Sequence, residues 1–229
     1  MTNLHDPVEV LRRVDTRLRA LADPAQAAQM GAYQRGQFAF LGVHTPARRQ
    51  LVRDCARGLA WPGVLTVAEH LWDAPEREFQ YAAIDVLDLH RRQLPLDAVA
   101  PLLALARRKP WWETVDGLAG VIGKLLRAQL DESPDVQRPM DAALADDCFW
   151  LRHIAMLHQL GWRLRTDEAR LFGYALRLAP ESEFFIRKAI GWALRDYGRW
   201  APDAVQGFVA EHREQLSALT VREALKRLS

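Results

Sequence analysis

The feature that most restricts the fold of this chain is a repeat. Phe79 in EFQYAA, Val115 in ETVDGLA, Leu151 in FWLRHIA and Ile186 in FFIRKAI hold the same place in a helical apolar register, at steps of 36, 36 and 35 residues. Around two of these marks the stripe is explicit. Phe79, Ala82, Ala83, Val86 and Leu87 follow i, i+3, i+4, i+7, i+8, and so do Ile186, Ala189, Ile190, Ala193 and Leu194, with Tyr197 continuing the second stripe. One short helix cannot bury such a stripe alone. Repeated every 35–36 residues, it predicts helical hairpins that stack and bury a continuous core. No alternating strand pattern and no Asn-Gly hairpin turn competes with it. The expected fold is all-α, a superhelical solenoid of about a dozen short helices. It is expected to form a single domain over 1–229 with a concave basic groove, which suits a long partner better than a small enclosed substrate.

Punctuation along the chain agrees. Asp6-Pro7, Asp23-Pro24, Thr45-Pro46 and Ser133-Pro134 each put a capping side chain before a proline suited to the first helical position. Ala74-Pro75 and Ala201-Pro202 supply the proline without the cap. The period, near that of HEAT-like repeats, narrows the class further. Composition excludes others. With 49% hydrophobic and 26% charged residues the chain is globular, and no apolar run approaches the roughly 18 residues of a membrane span. The opening MTNLHDPVEVLRR lacks the apolar core of a signal peptide. Two cysteines, Cys55 and Cys148, without a CxxC, argue against a disulfide framework or a zinc–cysteine site and point to a reducing cytoplasm. Net charge is only +2, so a nucleic-acid partner requires the 31 Lys and Arg to be segregated onto one face.

Three helices carry candidate chemistry. On the helix that starts at Trp112 in RRKPWWETVDGLAG and runs beyond it, the core stripe is Val115, Leu118, Ala119, Ile122, Leu125 and Leu126, and Trp112 and Asp116 share one margin of it, with Gly120 and Gly123 near the same angle. The plain reading is tight packing plus a first-turn acid favoured by the helix dipole; the functional reading is a site. In FFIRKAIGWALRDYGRW the face opposite the stripe carries Lys188, Trp192, Arg195 and Arg199. It reads either as a surface cation–π cluster or as a stacking platform inside an electrostatic footprint. In CFWLRHIAMLHQLGW, Arg152 and Gln159 mark the polar side and His153 lies at the edge of the apolar arc. His153 and His158 are five apart, which does not make a one-face metal pair, and a lone histidine there is ordinarily structural. Arg48 and Arg49 in TPARRQ, at a helix N-terminus, suit a phosphate, and Arg107, Arg108 and Lys109 precede the Trp112 helix.

At AYQRGQFAFLGVHTPARR (32–49), LWDAPEREFQYAAIDVL (71–87), KPWWETVD (109–116), FWLRHIAML (149–157) and FFIRKAIGWALRDY (184–197) the chain resembles the AlkD-like family of DNA alkylation repair proteins. These are HEAT-like-repeat DNA glycosylases that remove alkylated purines. The resemblance covers most of the chain. It implies that Trp112, Asp116 and Trp192 are catalytic-cleft residues and that Tyr33 helps to shape the cleft. It also implies DNA contacts from His44, Arg48, Arg49, Lys109, Arg152, His153, Lys188 and Arg195. The family usually has an arginine where this chain has His153, so a protonated His153 is expected to take its phosphate. His44 stands where a polar, often uncharged residue is usual.

The chemistry fits such a residue set. Alkylation at N3 or N7 makes the purine cationic and a good leaving group, so no acid has to protonate it. The sugar needs help instead, as it develops oxocarbenium character at C1′. One carboxylate can stabilise that charge and position water, and two tryptophan faces can flank it. The resemblance thus implies a monomeric alkylpurine glycosylase acting on duplex DNA that contains alkylated bases, with one acid between two indoles. It needs no metal, organic cofactor or membrane. The alternative is a non-catalytic HEAT-like DNA-binding or scaffold protein of the same family, and beyond it a helical protein-interaction array.

Overall fold

The computed structural model describes residues 6–133 and 135–226. Among them are thirteen α-helices and two 3-10 turns, Leu96–Ala98 and Arg163–Arg165, with no β-structure beyond one isolated bridge between Ala39 and Glu76. None of these helices is long and apolar enough to cross a membrane. The chain divides into two compact units, Met1–Pro95 and Leu96–Ser229.

The first unit holds α1 (Pro7–Ala20), α2 (Pro24–Tyr33), α3 (Thr45–Ala56), α4 (Gly63–Asp73) and α5 (Arg77–His90). Helix α1 packs on α3 and α4, and both of these pack on α5. Val10, Val14, Leu18, Val67, Trp72, Phe79 and Val86 fill the core. The loop before α3 is held from below by one buried carboxylate: Glu78 accepts the backbone N–H groups of Leu41 (2.9 Å), Gly42 (2.8 Å) and Val43 (3.1 Å). Three such donors satisfy a charge that burial would otherwise make costly.

The second unit is four helical hairpins in succession. They are α6 (Val99–Ala106) with α7 (Trp112–Ala128), α8 (Arg138–Leu144) with α9 (Phe149–Leu157), α10 (Glu168–Leu178) with α11 (Phe184–Gly198), and α12 (Pro202–Glu211) with α13 (Ala218–Leu225). The second helices form a row: α7 packs on α9, α9 on α11, and α11 on α13. The register marks Phe79, Val115, Leu151 and Ile186 sit in the first turn of α5, α7, α9 and α11 and are all buried. Truncating a core residue of this kind to alanine costs about 2–5 kcal/mol.

The period also appears in the sequence separation of bonded groups. Arg48–Asp85 (37 apart), His90–Ala56 O (34), Trp162–Gly123 O (39), Arg165–Asp131 (34) and Lys188–Glu223 (35) are all hydrogen bonds across about one repeat.

Helix starts follow the sequence in part. Asp6 and Asp23 cap α1 and α2, and Ala201 precedes α12 at Pro202. At Thr45-Pro46 the helix begins one residue early: His44 is the N-cap without a side-chain bond, and Thr45 Oγ1 lies 3.5 Å from Arg48 Nη1 instead. Pro75 stands two residues ahead of α5, whose N-cap is Glu76. Pro134 lies outside the described residues, and the next helix starts at Arg138 with Pro139 in its first turn.

Candidate active site

Helix α7 starts where the preceding chain turns away. Lys109 takes left-handed backbone (φ 49°), Pro110 follows, and Trp111 is extended at the N-cap (φ −159°). Trp111 offers no side-chain acceptor to the first turn. Its carbonyl accepts from Val115 N (3.1 Å) and Thr114 Oγ1 (3.1 Å). From there Val115, Leu118, Ala119, Ile122, Leu125 and Leu126 are all buried, which fixes the rotation of the helix. Trp112 and Asp116, one turn apart, are thereby left half-buried at its margin.

Gly123 and Gly120, which share an angle in the sequence, have different surroundings. A Cβ on Gly123 would lie 1.9 Å from the carbonyl oxygen of His158, so this glycine allows α7 to close on the end of α9. At Gly120 nothing lies within 4 Å.

The closest partner of Asp116 is His153. Its Nε2 lies 2.7 Å from Asp116 Oδ1, and its Nδ1 lies 3.2 Å from the carbonyl oxygen of Phe185. The Asp116 side chain keeps 27% of its surface exposed; that of His153 keeps 1%. The Trp150 ring stands edge-on to His153 at 5.8 Å, and Trp111, Trp150 and Phe185 pack against one another at 5.0–6.4 Å. This corrects the expectation for His153 as a phosphate ligand. Burial beneath aromatic rings removes it from the surface, and both ring nitrogens already meet protein oxygens.

One chain of bonds therefore joins three helices: Asp116 on α7, His153 on α9 and Phe185 on α11. Trp192 comes two turns after Phe185, within about 20° of the same face of α11. The buried stripe of α11 is as expected from Ile186 to Leu194, although Tyr197 is only half-buried, and Trp192 stands half-buried outside it, with Lys188 Nζ 5.1 Å from its ring centroid.

The expected phosphate-binding cations are present, but carboxylates already hold most of them. Lys188 Nζ and Arg195 Nη1 share the two oxygens of Glu223 on α13, at 3.0 and 2.7 Å. The close approach of α13 depends on Gly191, where a Cβ would lie 2.5 Å from Glu223 Cβ. Burial alone would raise the pKa of Glu223, but Lys188 and Arg195 together outweigh it and hold the carboxyl below its usual range. Arg152 forms a two-pronged pair with Glu181 (2.7 and 2.8 Å), which raises the arginine's pKa, and also donates to the carbonyls of Asp146 and Asp147.

In the first unit, Arg48 is buried against Asp85 (2.7 Å) and over the Tyr81 ring. Arg49, 61% exposed, reaches the other oxygen of Asp85 at 3.2 Å. Tyr33 is 73% exposed, and with His44 and Arg48 it lines an open cleft of about 320 Å³.

Sequence reasoning missed two groups. The counter-charges Asp85, Glu181 and Glu223 lie 28–37 residues from their cations. The aromatic wall of Trp111, Trp150 and Phe185 spans three helices. The signal for the closest pair was in the period itself: Asp116 and His153 are 37 residues apart, about one repeat.

No curated protein matches the chain. Among solved structures it is similar to a predicted DNA alkylation repair enzyme from Enterococcus faecalis, with 30% identity and a TM-score of 0.84, covering 91% of this chain and 97% of that one. The family model described as DNA alkylation repair enzyme matches residues 14–228. The chain belongs to the DNA alkylation repair enzyme family, whose role is the repair of alkylation damage and whose members act on DNA.

Proposed function

We propose that this protein is a monofunctional DNA glycosylase that excises cationic N3- and N7-alkylated purines from duplex DNA. The observation that carries the reading is Asp116: a partly exposed carboxylate, fixed at one oxygen by a buried ring, on a helix margin shared with Trp112. Trp192 stands on the next helix but one in the row.

In the reaction the C1′–N bond breaks and its electron pair passes to the cationic purine, which leaves neutral. The carboxylate of Asp116 faces the positive charge that grows on the sugar, and the indoles of Trp112 and Trp192 present their negative faces to it. Water attacks C1′ and gives its proton to Asp116, from which it returns to solvent. The protein works as a monomer. Arg48 and Arg49 in the first unit, where Tyr33 and His44 line a cleft with Arg48, and Lys109, Arg152, Lys188 and Arg195 in the second meet phosphates, so binding is led by the backbone and not by base edges.

The test is release of methylated purines from alkylated duplex DNA by wild type and by Asp116→Asn. The substitution keeps the shape and removes the charge. Loss of such a transition-state contact is worth about 3–4 kcal/mol, on the order of a few hundredfold in rate. DNA affinity should hold or rise, because a negative charge leaves a phosphate-binding surface. Equal rates in the two proteins would reduce Asp116 to a first-turn helix charge and reject the reading.

A further inference from the structure

We propose that His153 is a positioning residue for Asp116: its Nε2–H holds Oδ1 and turns Oδ2 to the reacting sugar. The inference rests on the glycosylase reading and adds to it a residue that touches no DNA. The geometry carries it. The ring stands between two acceptors, the Phe185 carbonyl at Nδ1 (3.2 Å) and the Asp116 carboxylate at Nε2 (2.7 Å).

An ionised carboxylate and a carbonyl can only accept. A ring with one proton therefore serves the nearer and charged acceptor, and a ring with two serves both. A proton moved across to the carboxyl leaves the same Nε2–Oδ1 bond in place. In every case one oxygen of Asp116 is taken.

The carboxylate is then restrained against rotation about its last bond, and its other oxygen is the one available to the sugar and to water. The ring itself cannot swing, because it is 1% exposed, stands edge-on to Trp150 and is anchored to the backbone of α11. Restraint of this kind matters because a misplacement of about 1 Å in a reacting group can cost on the order of 100-fold in rate. The same bond ties α7 to α9, and two turns further along α7 Gly123 closes on His158, so the helix that carries the acid is held to α9 at two places.

The experiment compares single-turnover excision and DNA affinity for wild type, His153→Leu, His153→Gln, Asp116→Asn and the double variant Asp116→Asn/His153→Leu. His153→Leu should slow the chemical step by about 10- to 100-fold while the Kd for DNA hardly moves. His153→Gln, which keeps an N–H for Asp116, should recover most of the rate. The double variant should be no slower than Asp116→Asn alone, since the histidine acts only through the acid.

A separate readout needs no activity. The His153 ring N–H, assigned by its loss in His153→Gln, should give a slowly exchanging proton resonance that shifts in Asp116→Asn. Wild-type rate in His153→Leu, failure of His153→Gln to recover, additive losses in the double variant, or a ring resonance indifferent to Asp116→Asn would each overturn the proposal. A wild-type protein that releases no methylated purine overturns the glycosylase reading, and the positioning role with it. The resonance shift then shows whether the contact itself was present.

Discussion

Helix α9 and its cap carry two histidines that differ in their partners more than in their burial. His153 and His158 are each 1% exposed. Each has Nδ1 on a backbone carbonyl, of Phe185 (3.2 Å) and of Ala155 (2.6 Å), and each has Nε2 on a side-chain oxygen, of Asp116 (2.7 Å) and of Gln137 (2.8 Å). The side-chain partners differ in one respect. Gln137 is buried and its amide can turn to donate, so a neutral ring satisfies it. Burial then pushes the pKa of His158 down to about 4. Asp116 is partly exposed and, while ionised, can only accept, so His153 must present an N–H to it. A buried histidine is structural when its partner is also buried and adaptable. His153 differs in that its partner reaches solvent, which is what the proposed positioning role requires.

The largest effect should separate the two directly. His153→Leu should cost about 10- to 100-fold in excision rate. His158→Leu should keep the rate of the folded protein and lose stability, because the Ala155 carbonyl acceptor and the Gln137 amide donor are left unsatisfied at about 1–3 kcal/mol each. For a chain of this size each kcal/mol is about 2–4 °C in Tm. Thermal melts beside single-turnover rates decide it. If rate and Tm fall together in both variants, the distinction between the two histidines is lost.

Acid should sharpen the contrast next. His158 is held neutral in the fold, with a pKa of about 4 against the 6.5 of an unperturbed histidine. Below the unfolded value the unfolded chain takes a proton that the folded chain refuses. The stability from this group is therefore full above about pH 6.5 and is lost as pH falls through the folded pKa. The total is on the order of 3 kcal/mol. Urea unfolding at neutral pH and near pH 4 should show this loss, and His158→Gln should remove most of it. An unchanged pH dependence in that variant would assign the acid sensitivity to other groups. Asp141 is one of these: burial raises its pKa, but bonds from Arg170 and Tyr174 outweigh that and hold it low.

The sequence made the scaffold legible because register and period are local or regularly repeated. Phe79, Val115, Leu151 and Ile186 are buried where their stripes place them, and Asp6 and Asp23 cap their helices through contacts two or three residues away. It placed Trp112 and Asp116 on one margin for the same reason. His153 is buried, as a histidine at an apolar-arc edge ordinarily is, but that position does not reveal what stands on the next helix, so the phosphate role carried over from the resemblance missed Asp116 and the Phe185 carbonyl. That environment depended on the ring cluster of Trp111, Trp150 and Phe185, drawn from three helices. The charge clusters were read without their counter-ions for the same reason. A run of arginines shows its own charge, whereas its neutralising carboxylate comes from another repeat, as Asp85 does for Arg48 and Glu223 for Lys188.

The rule that a partner sets a side chain's role extends to these cations, and here the smallest effect is expected. Lys188 and Arg195 flank Trp192 but are bound to Glu223, so a phosphate must compete with a carboxylate already in place. Arg49 is mostly exposed and shares its carboxylate with Arg48. Glu223→Gln keeps the volume beside Gly191 and removes the negative charge. DNA binding should then tighten modestly, and the log–log salt slope should steepen by about 0.9 for each phosphate newly contacted, toward about 2 if both cations are released. Arg49→Gln should move the slope the other way by about 1. Binding titrations at several salt concentrations read both. An affinity and slope unchanged by Glu223→Gln would mean that Lys188 and Arg195 never meet phosphate. They would then be internal partners that hold α13 against α11, as Gln137 holds His158, and the basic flank of Trp192 would be structure and not binding surface.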